Sequence, residues 1–348
     1  MWNRCAFTVA DREYLWRDVA LAAMWRGDWS AFDDRLRRGL ACEAWSYEYD
    51  DPADQDAVDA ATVEFRYANE LITAEETELW LERMALSVEV WSRYFARQNL
   101  LARWPDRLDE ILDTFPQSDE TVAEHVLAEG ICSGWLRSQA TALAGRAAVS
   151  RDEAASSGLD VPALDERQVE TLASSGSPIL AGVDPDALRD RLAHLSWLDA
   201  VFGVARAKAI TAEALQAQIE SSRLDWIEVE LERLSFPEES MVRETLLCCQ
   251  EDALSLPQLA SRIRRSVTTE VVRLESSDPE FRALLLSAEP GALLGPVAAE
   301  DAFHALVVRD KRLPSADDAA VRALAEAAVE DALLRRARML HVQWKQWI

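Results

Sequence analysis

The chain has 348 residues, 49% of them apolar, so a sizeable core can be buried and global disorder is excluded. Lys and Arg number 37 against 62 Asp and Glu, a net charge of −25, which repels phosphate backbones and argues against nucleic acid as a partner. Only 11 glycines are present, too few for glycine-cradled nucleotide folds or propellers, while abundant Ala, Leu, Glu and Arg favour helix.

The first residues hold no apolar stretch of signal-peptide length, and no window is apolar enough to span a membrane. The five cysteines (Cys5, Cys42, Cys132, Cys248, Cys249) are odd in number and lack any C-x-x-C spacing. They read as reduced thiols of a cytoplasmic protein, with no metal site and no cofactor expected.

Residues 9–48 read as two helices. Leu15, Val19, Ala22 and Ala23 recur at helical spacing beside Trp16 and Trp25; Gly27 interrupts, and Trp29, Phe32 and Leu36 resume the pattern. Five tryptophans fall in the first 45 residues (Trp2, Trp16, Trp25, Trp29, Trp45), either as core or as an apolar groove for a peptide. After a turn at 50–54, a helix is predicted over 56–69. Thr73 with Glu76 fits a capping box ahead of Leu79, Trp80 and Met84, and a further helix from Ser87 carries Trp91, Tyr94 and Phe95. Helices from about Glu120 and Ile131 close this block near Val149. Residues 150–186, rich in Gly, Pro and Ser, read as a linker or surface loop. Residues 186–202 are helical again, and Ile210-Thr211-Ala212-Glu213 reuses the earlier cap sequence Ile72-Thr73-Ala74-Glu75.

The period then changes. Ile227, Val229 and Leu231 alternate with Glu228, Glu230 and Glu232, the pattern of a half-buried strand. Helices are predicted over 238–249 and 254–263, a strand over Val271–Leu274, a helix from Pro279 through Leu286, a turn at Glu289-Pro290-Gly291, and a strand over Phe303–Val308. Ser315 with Asp318 caps a last helix, whose final turns carry Arg335, Arg336, Arg338 and Lys345.

This order resembles a parvulin domain over residues 224–312. Pro290-Gly291-Ala292-Leu293-Leu294-Gly295-Pro296-Val297 is similar to the parvulin segment ahead of the last strand. Ala302-Phe303-His304-Ala305-Leu306-Val307-Val308 is similar to that closing strand, and Pro279-Glu280-Phe281 to the start of the preceding helix. The flanking helices resemble those of parvulin-type peptidyl-prolyl isomerase chaperones, and also the parvulin-like peptide maturation proteins of gene clusters for ribosomally made, modified peptides. The resemblance implies a mostly helical α+β protein: a helical lobe (1–149), the 150–186 linker, a helical connection (187–223), a degenerate parvulin-like domain (224–312) and a C-terminal helix returning to the lobe (313–348).

The family's pocket implies two facing histidines and a proline-gripping wall. His304 falls on the second histidine, but Arg233 stands where the first belongs, and a bulky permanent cation cannot replace an imidazole. Arg233 pairs either with a peptide carboxylate or with an internal Glu. Phe281 survives as a wall. His304 is a structural residue, a pocket member or a catalyst, with His304 the one catalytic candidate. Arg233, Phe281, His304, Leu306, Trp16 and Trp25 are the expected peptide contacts. The expected function is therefore binding of a peptide or protein client, such as a precursor peptide and its modifying enzyme, with little or no isomerase activity. Two alternatives stand beside it: an active peptidyl-prolyl isomerase, and a structural subunit of a peptide-modifying complex.

Overall fold

The computed structural model describes residues 1–157, 163–174, 177, 179–180, 182–299 and 302–345. Two strands lead, β1 (Cys5–Val9) and β2 (Arg12–Leu15). Helices follow as α1 (Trp16–Arg26), α2 (Asp28–Glu48), α3 (Gln55–Ala68), α4 (Ala74–Met84), α5 (Val88–Arg103), α6 (Leu108–Thr114), α7 (Asp119–Cys132), α8 (Trp135–Ser157), α9 (Glu166–Ala173), α10 (Pro185–Ala209) and α11 (Ala212–Ser221). Then come β3 (Glu228–Phe236), α12 (Glu239–Glu251), α13 (Leu256–Arg262), β4 (Thr268–Arg273), α14 (Pro279–Ser287), β5 (Leu293–Ala299), β6 (Ala302–Arg312), α15 (Ala319–His341) and β7 (Val342–Trp344). Helix predominates among the described residues and the two sheets are antiparallel, ordered β2-β1-β7 and β4-β3-β6-β5, so the class is α+β and mostly helical. The chain divides into two units, Met1–Ala207 with Leu333–Ile348, and Lys208–Ala332.

In the first unit a hairpin replaces the start of the predicted helix. β1 buries Ala6, Phe7, Thr8 and Val9 in succession, covered on both faces, so no alternation marks it as a strand. The Asp18 carboxylate accepts the Leu15 N–H at 2.7 Å and starts α1. Gly27, at φ 84°, ends α1 in the left-handed region, and α2 follows directly. The Thr73–Glu76 capping box forms as read, and the Ser87 hydroxyl accepts the Val90 N–H to start α5. Phe65, Trp80, Trp91 and Phe95 meet edge to face, at 5.5 Å for Phe65–Trp80 and 5.3 Å for Trp91–Phe95.

The five early tryptophans do not form one groove. Trp16 lies in the main core with Trp2 and Trp25 against it, Trp29 joins a second cluster with Phe32, and Trp45 a third. The stretch read as linker carries the last turns of α8 and all of α9, whose Val169 is buried in the main core. Residues 158–162, 175–176, 178 and 181 of that stretch fall outside the described residues. Leu333, Leu334 and Ala337 of α15 pack on Ala148, Val149, Phe202 and Ala205, so the last helix does return to the helical lobe. Its cap is Asp318, whose carboxylate accepts from Ala320 and Val321, while the Ser315 hydroxyl accepts the Asp317 N–H and the Ser315 carbonyl the Asp318 N–H.

Inside this unit sits a buried ionic network. The Arg97 guanidinium is fully buried, 3.3 Å from Glu129, 3.6 Å from Glu43 and 3.5 Å from His125 Nδ1. Burial first, then the positive charges of Arg97 and Arg93, pull His125 down to about 4. His194 is likewise pulled to about 4, by burial and then Arg12. Both imidazoles lie well below their ordinary 6.5. The unfolded chain therefore takes up protons first, and stability is full above pH 6.5 and drains away between 6.5 and 4. Burial raises the Glu129 carboxyl, which works the other way and offsets part of the loss at the acid end. Urea unfolding at pH 7.5, 6.0 and 5.0 is expected to show a fall on the order of a few kcal/mol. His125→Gln should flatten the slope; a flat wild-type profile over that range would refute the account.

The second unit is built on the β4-β3-β6-β5 sheet. One face of β3 carries Val229 and Leu231, with Ile227 just ahead of the strand, against Leu285 of α14 and Val308 of β6. The other carries Leu234 and Phe236 against Val242 of α12 and Leu256 and Leu259 of α13. A bulge in β6, where Glu230 faces Asp310 and Leu231 faces Val308, leaves Arg309 over, and Arg309 pairs with the buried Glu232 at 3.2 Å. The strand predicted at Val271–Leu274 begins earlier, at Thr268, and β5 is an edge strand not anticipated by the periodicity.

Candidate functional site

Register brings the predicted parvulin positions together. Arg233 faces Leu306 and Ser235 faces His304 across β3 and β6, so all four side chains share the sheet face that α14 covers lower down. Phe281 packs from α14 into the core of that face. Trp16 and Trp25 belong to the first unit, and Trp16 is 1% exposed, a core ring that cannot touch a peptide. Trp25 is half-buried against the main core, and its backbone carbonyl accepts from Gln168.

His304 is 7% exposed, and its Nδ1 shares a 2.9 Å hydrogen bond with the Ser235 hydroxyl. The Arg233 guanidinium lies 3.4 Å from Glu270 on β4, an internal ion pair. Its Nε is buried without a hydrogen-bond partner. Leu306 is 2% exposed and serves as core. Arg265, from the α13–β4 loop, donates to the Ser235 carbonyl at 2.8 Å and stacks at 4.8 Å on Phe236, which lies on the other face of β3. Opposite, Gly295 of β5 presses on the His304 carbonyl; a Cβ there would sit 2.7 Å from that oxygen.

Two partners were not anticipated from the sequence. Ser235 stands two residues beyond Arg233, so strand alternation alone places it on the same face. Glu270 needs the β3–β4 register, which pairs it with Leu231, one step diagonal from Arg233. Chemically the face offers one imidazole bound to a hydroxyl, beside a neutralised ion pair. No second histidine faces His304 across β3; the position is serine.

No family model matches the chain, and no curated protein matches it. Solved structures overlap it weakly. The peptidylprolyl isomerase PrsA of Bacillus anthracis aligns at 13% identity over 56% of this chain and 94% of its own, with a TM-score of 0.27. The foldase protein PrsA of Streptococcus pneumoniae aligns at 13% identity over 62% of this chain and 89% of its own, at 0.25. A structure from work on the SurA-like chaperones PEB4 and Cj1289 of Campylobacter jejuni aligns at 7% identity over 68% of this chain and 93% of its own, at 0.19.

Proposed function

We propose that this chain is a parvulin-like binding protein for a peptide or partner protein, with little or no isomerase activity. The carrying observation is the closed chemistry of the sheet face: His304 is buried on Ser235 and Arg233 is neutralised by Glu270. Twisting an X–Pro bond opposes a barrier of about 18–20 kcal/mol, and this face supplies neither a histidine pair nor room around His304 for a proline ring. Binding draws on the sheet edge. β4 is an edge strand, and its Val271 is 54% exposed, a surface that an extended chain can extend by strand addition. A net charge of −25 favours basic clients and speeds their encounter at low salt. On the resemblance to peptide maturation proteins, the client is a ribosomally made precursor, met in the cytoplasm together with its modifying enzyme.

Exchange NMR on a short Ala-Pro peptide separates the readings. The expected result is no acceleration of cis–trans exchange at stoichiometric protein. Acceleration that His304→Ala abolishes would replace this reading with an active isomerase.

A further inference from the structure

The first unit carries a cleft of its own, about 630 Å³ in volume, a size suited to one or two residues of a ligand. The β1–β2 hairpin forms one wall, and α8 and α10 form the others. Three aromatic rings are set in sequence. Tyr14 stacks on the buried Phe7 at 4.7 Å, its hydroxyl shares a 3.0 Å hydrogen bond with His194 Nε2, and His194 stacks on Trp197 at 5.8 Å. These contacts fix the rings before any ligand arrives, which lowers the ordering entropy that binding must overcome.

Two cations line the same space. Arg12 lies over the Tyr14 ring, 5.9 Å from its centroid, and no carboxylate pairs with it among the described residues. Arg151 is held 2.5 Å from His341 Nδ1, an acceptor that orients the guanidinium without neutralising it; Asp152 lies on the far nitrogen of His341, at 2.9 Å. Asp190 is the one carboxylate among the lining residues. His194 sits near 4 and is neutral at pH 7, so the two arginines set the sign. A net positive cleft on a chain of charge −25 is selective, because the rest of the surface repels the anions that the cleft attracts.

We infer that this cleft binds a carboxylate carried beside an aromatic or branched apolar group, the chemistry shared by the free C-terminal residue of a peptide and by a small aryl acid. The carboxylate lies between Arg12 and Arg151, where a guanidinium fork suits it, and the apolar group lies on Trp197 and His194. This rests on the first unit alone and does not depend on the reading of the β3–β6 face.

Ligand-observed NMR titrations of the full chain test it with three probes: N-acetyl-Leu-Phe as the free acid, the same dipeptide as its amide, and 3-phenylpropionate. The free-acid dipeptide is expected to bind at least tenfold more tightly than the amide. Arg12→Gln, at an exposed hairpin position, should erase that difference with the thermal midpoint unchanged. Ala193→Phe, which fills the cleft from α10, should abolish binding of all three and so excludes the arginine acting elsewhere. A dipeptide acid stronger than 3-phenylpropionate assigns the site to chain ends, and the reverse order to free acids. Equal affinity for acid and amide, no binding of either acid, or full binding by both variants would overturn the inference.

Discussion

Arg97→Met is expected to lower the unfolding free energy by about 3–5 kcal/mol, among the largest effects of any single substitution in this chain. The side chain is fully buried and joins three helices: it comes from α5, Glu43 from α2, and Glu129 and His125 from α7. Methionine matches the stem but leaves Glu129 in the core with only the Gln98 amide, at 2.9 Å. A buried carboxylate without its cation is strongly destabilising, and the Glu129 carboxyl, already raised by burial, will protonate. Glu43 suffers less, because Arg93 holds its other oxygen at 2.6 Å. The loss should thus come mainly through Glu129, and Arg97→Met with Glu129→Leu should recover at least half of it. Urea unfolding of the wild type and of the single and double variants measures this. A double variant as unstable as Arg97→Met would show that the arginine acts through packing, not charge.

That network was invisible in the sequence for a physical reason. His125 and Glu129 stand one turn apart on α7, a spacing common on any exposed helix face, and nothing in it announces a buried cation. Their partner, Arg97, is on α5, and only the packing of helices brings them together. The same limit explains Glu270. β3 was legible from its alternation, and the placement of Arg233 in line with Leu231 followed from it, but opposite charges on adjacent strands meet only once a register is fixed. The misses among strands have different causes. β1 is covered on both faces, so Phe7, Thr8 and Val9 show no period of two. β5 contains Gly295-Pro296, residues that punctuate a pattern, yet proline is compatible with an edge position, and β5 is an edge. The composition of 150–186 suggested a linker because Gly, Pro and Ser mark turns, but Val169 and Leu172 give α9 an apolar face that packs on the main core. The sequence therefore placed Arg233 and His304 on strands, while the pairing of those strands and Ser235 opposite His304 emerged only from the register.

Gly295→Ala should damage that face most directly. Gly295 has φ 134°, a region that residues with a Cβ rarely adopt, and the added carbon would sit 2.7 Å from the His304 carbonyl oxygen and 3.5 Å from Ala305 Cα. The oxygen is backbone and cannot rotate aside, so β5 must withdraw from β6 beside the His304–Ser235 hydrogen bond. Strained backbone plus overpacking gives an expected destabilisation of about 2–4 kcal/mol. Gly291→Ala is the control. Gly291 also has positive φ, 88°, but nothing lies within 4 Å of its Cβ position, so it should lose only about 1–2 kcal/mol. The difference between the two variants isolates the contact with His304. It should be accompanied by faster amide exchange in β5 and a shifted His304 imidazole resonance in Gly295→Ala alone. Equal losses for the two glycines, with the His304 resonance unmoved, would mean that β5 does not seat against His304 and that the closed face is less rigid than its geometry requires.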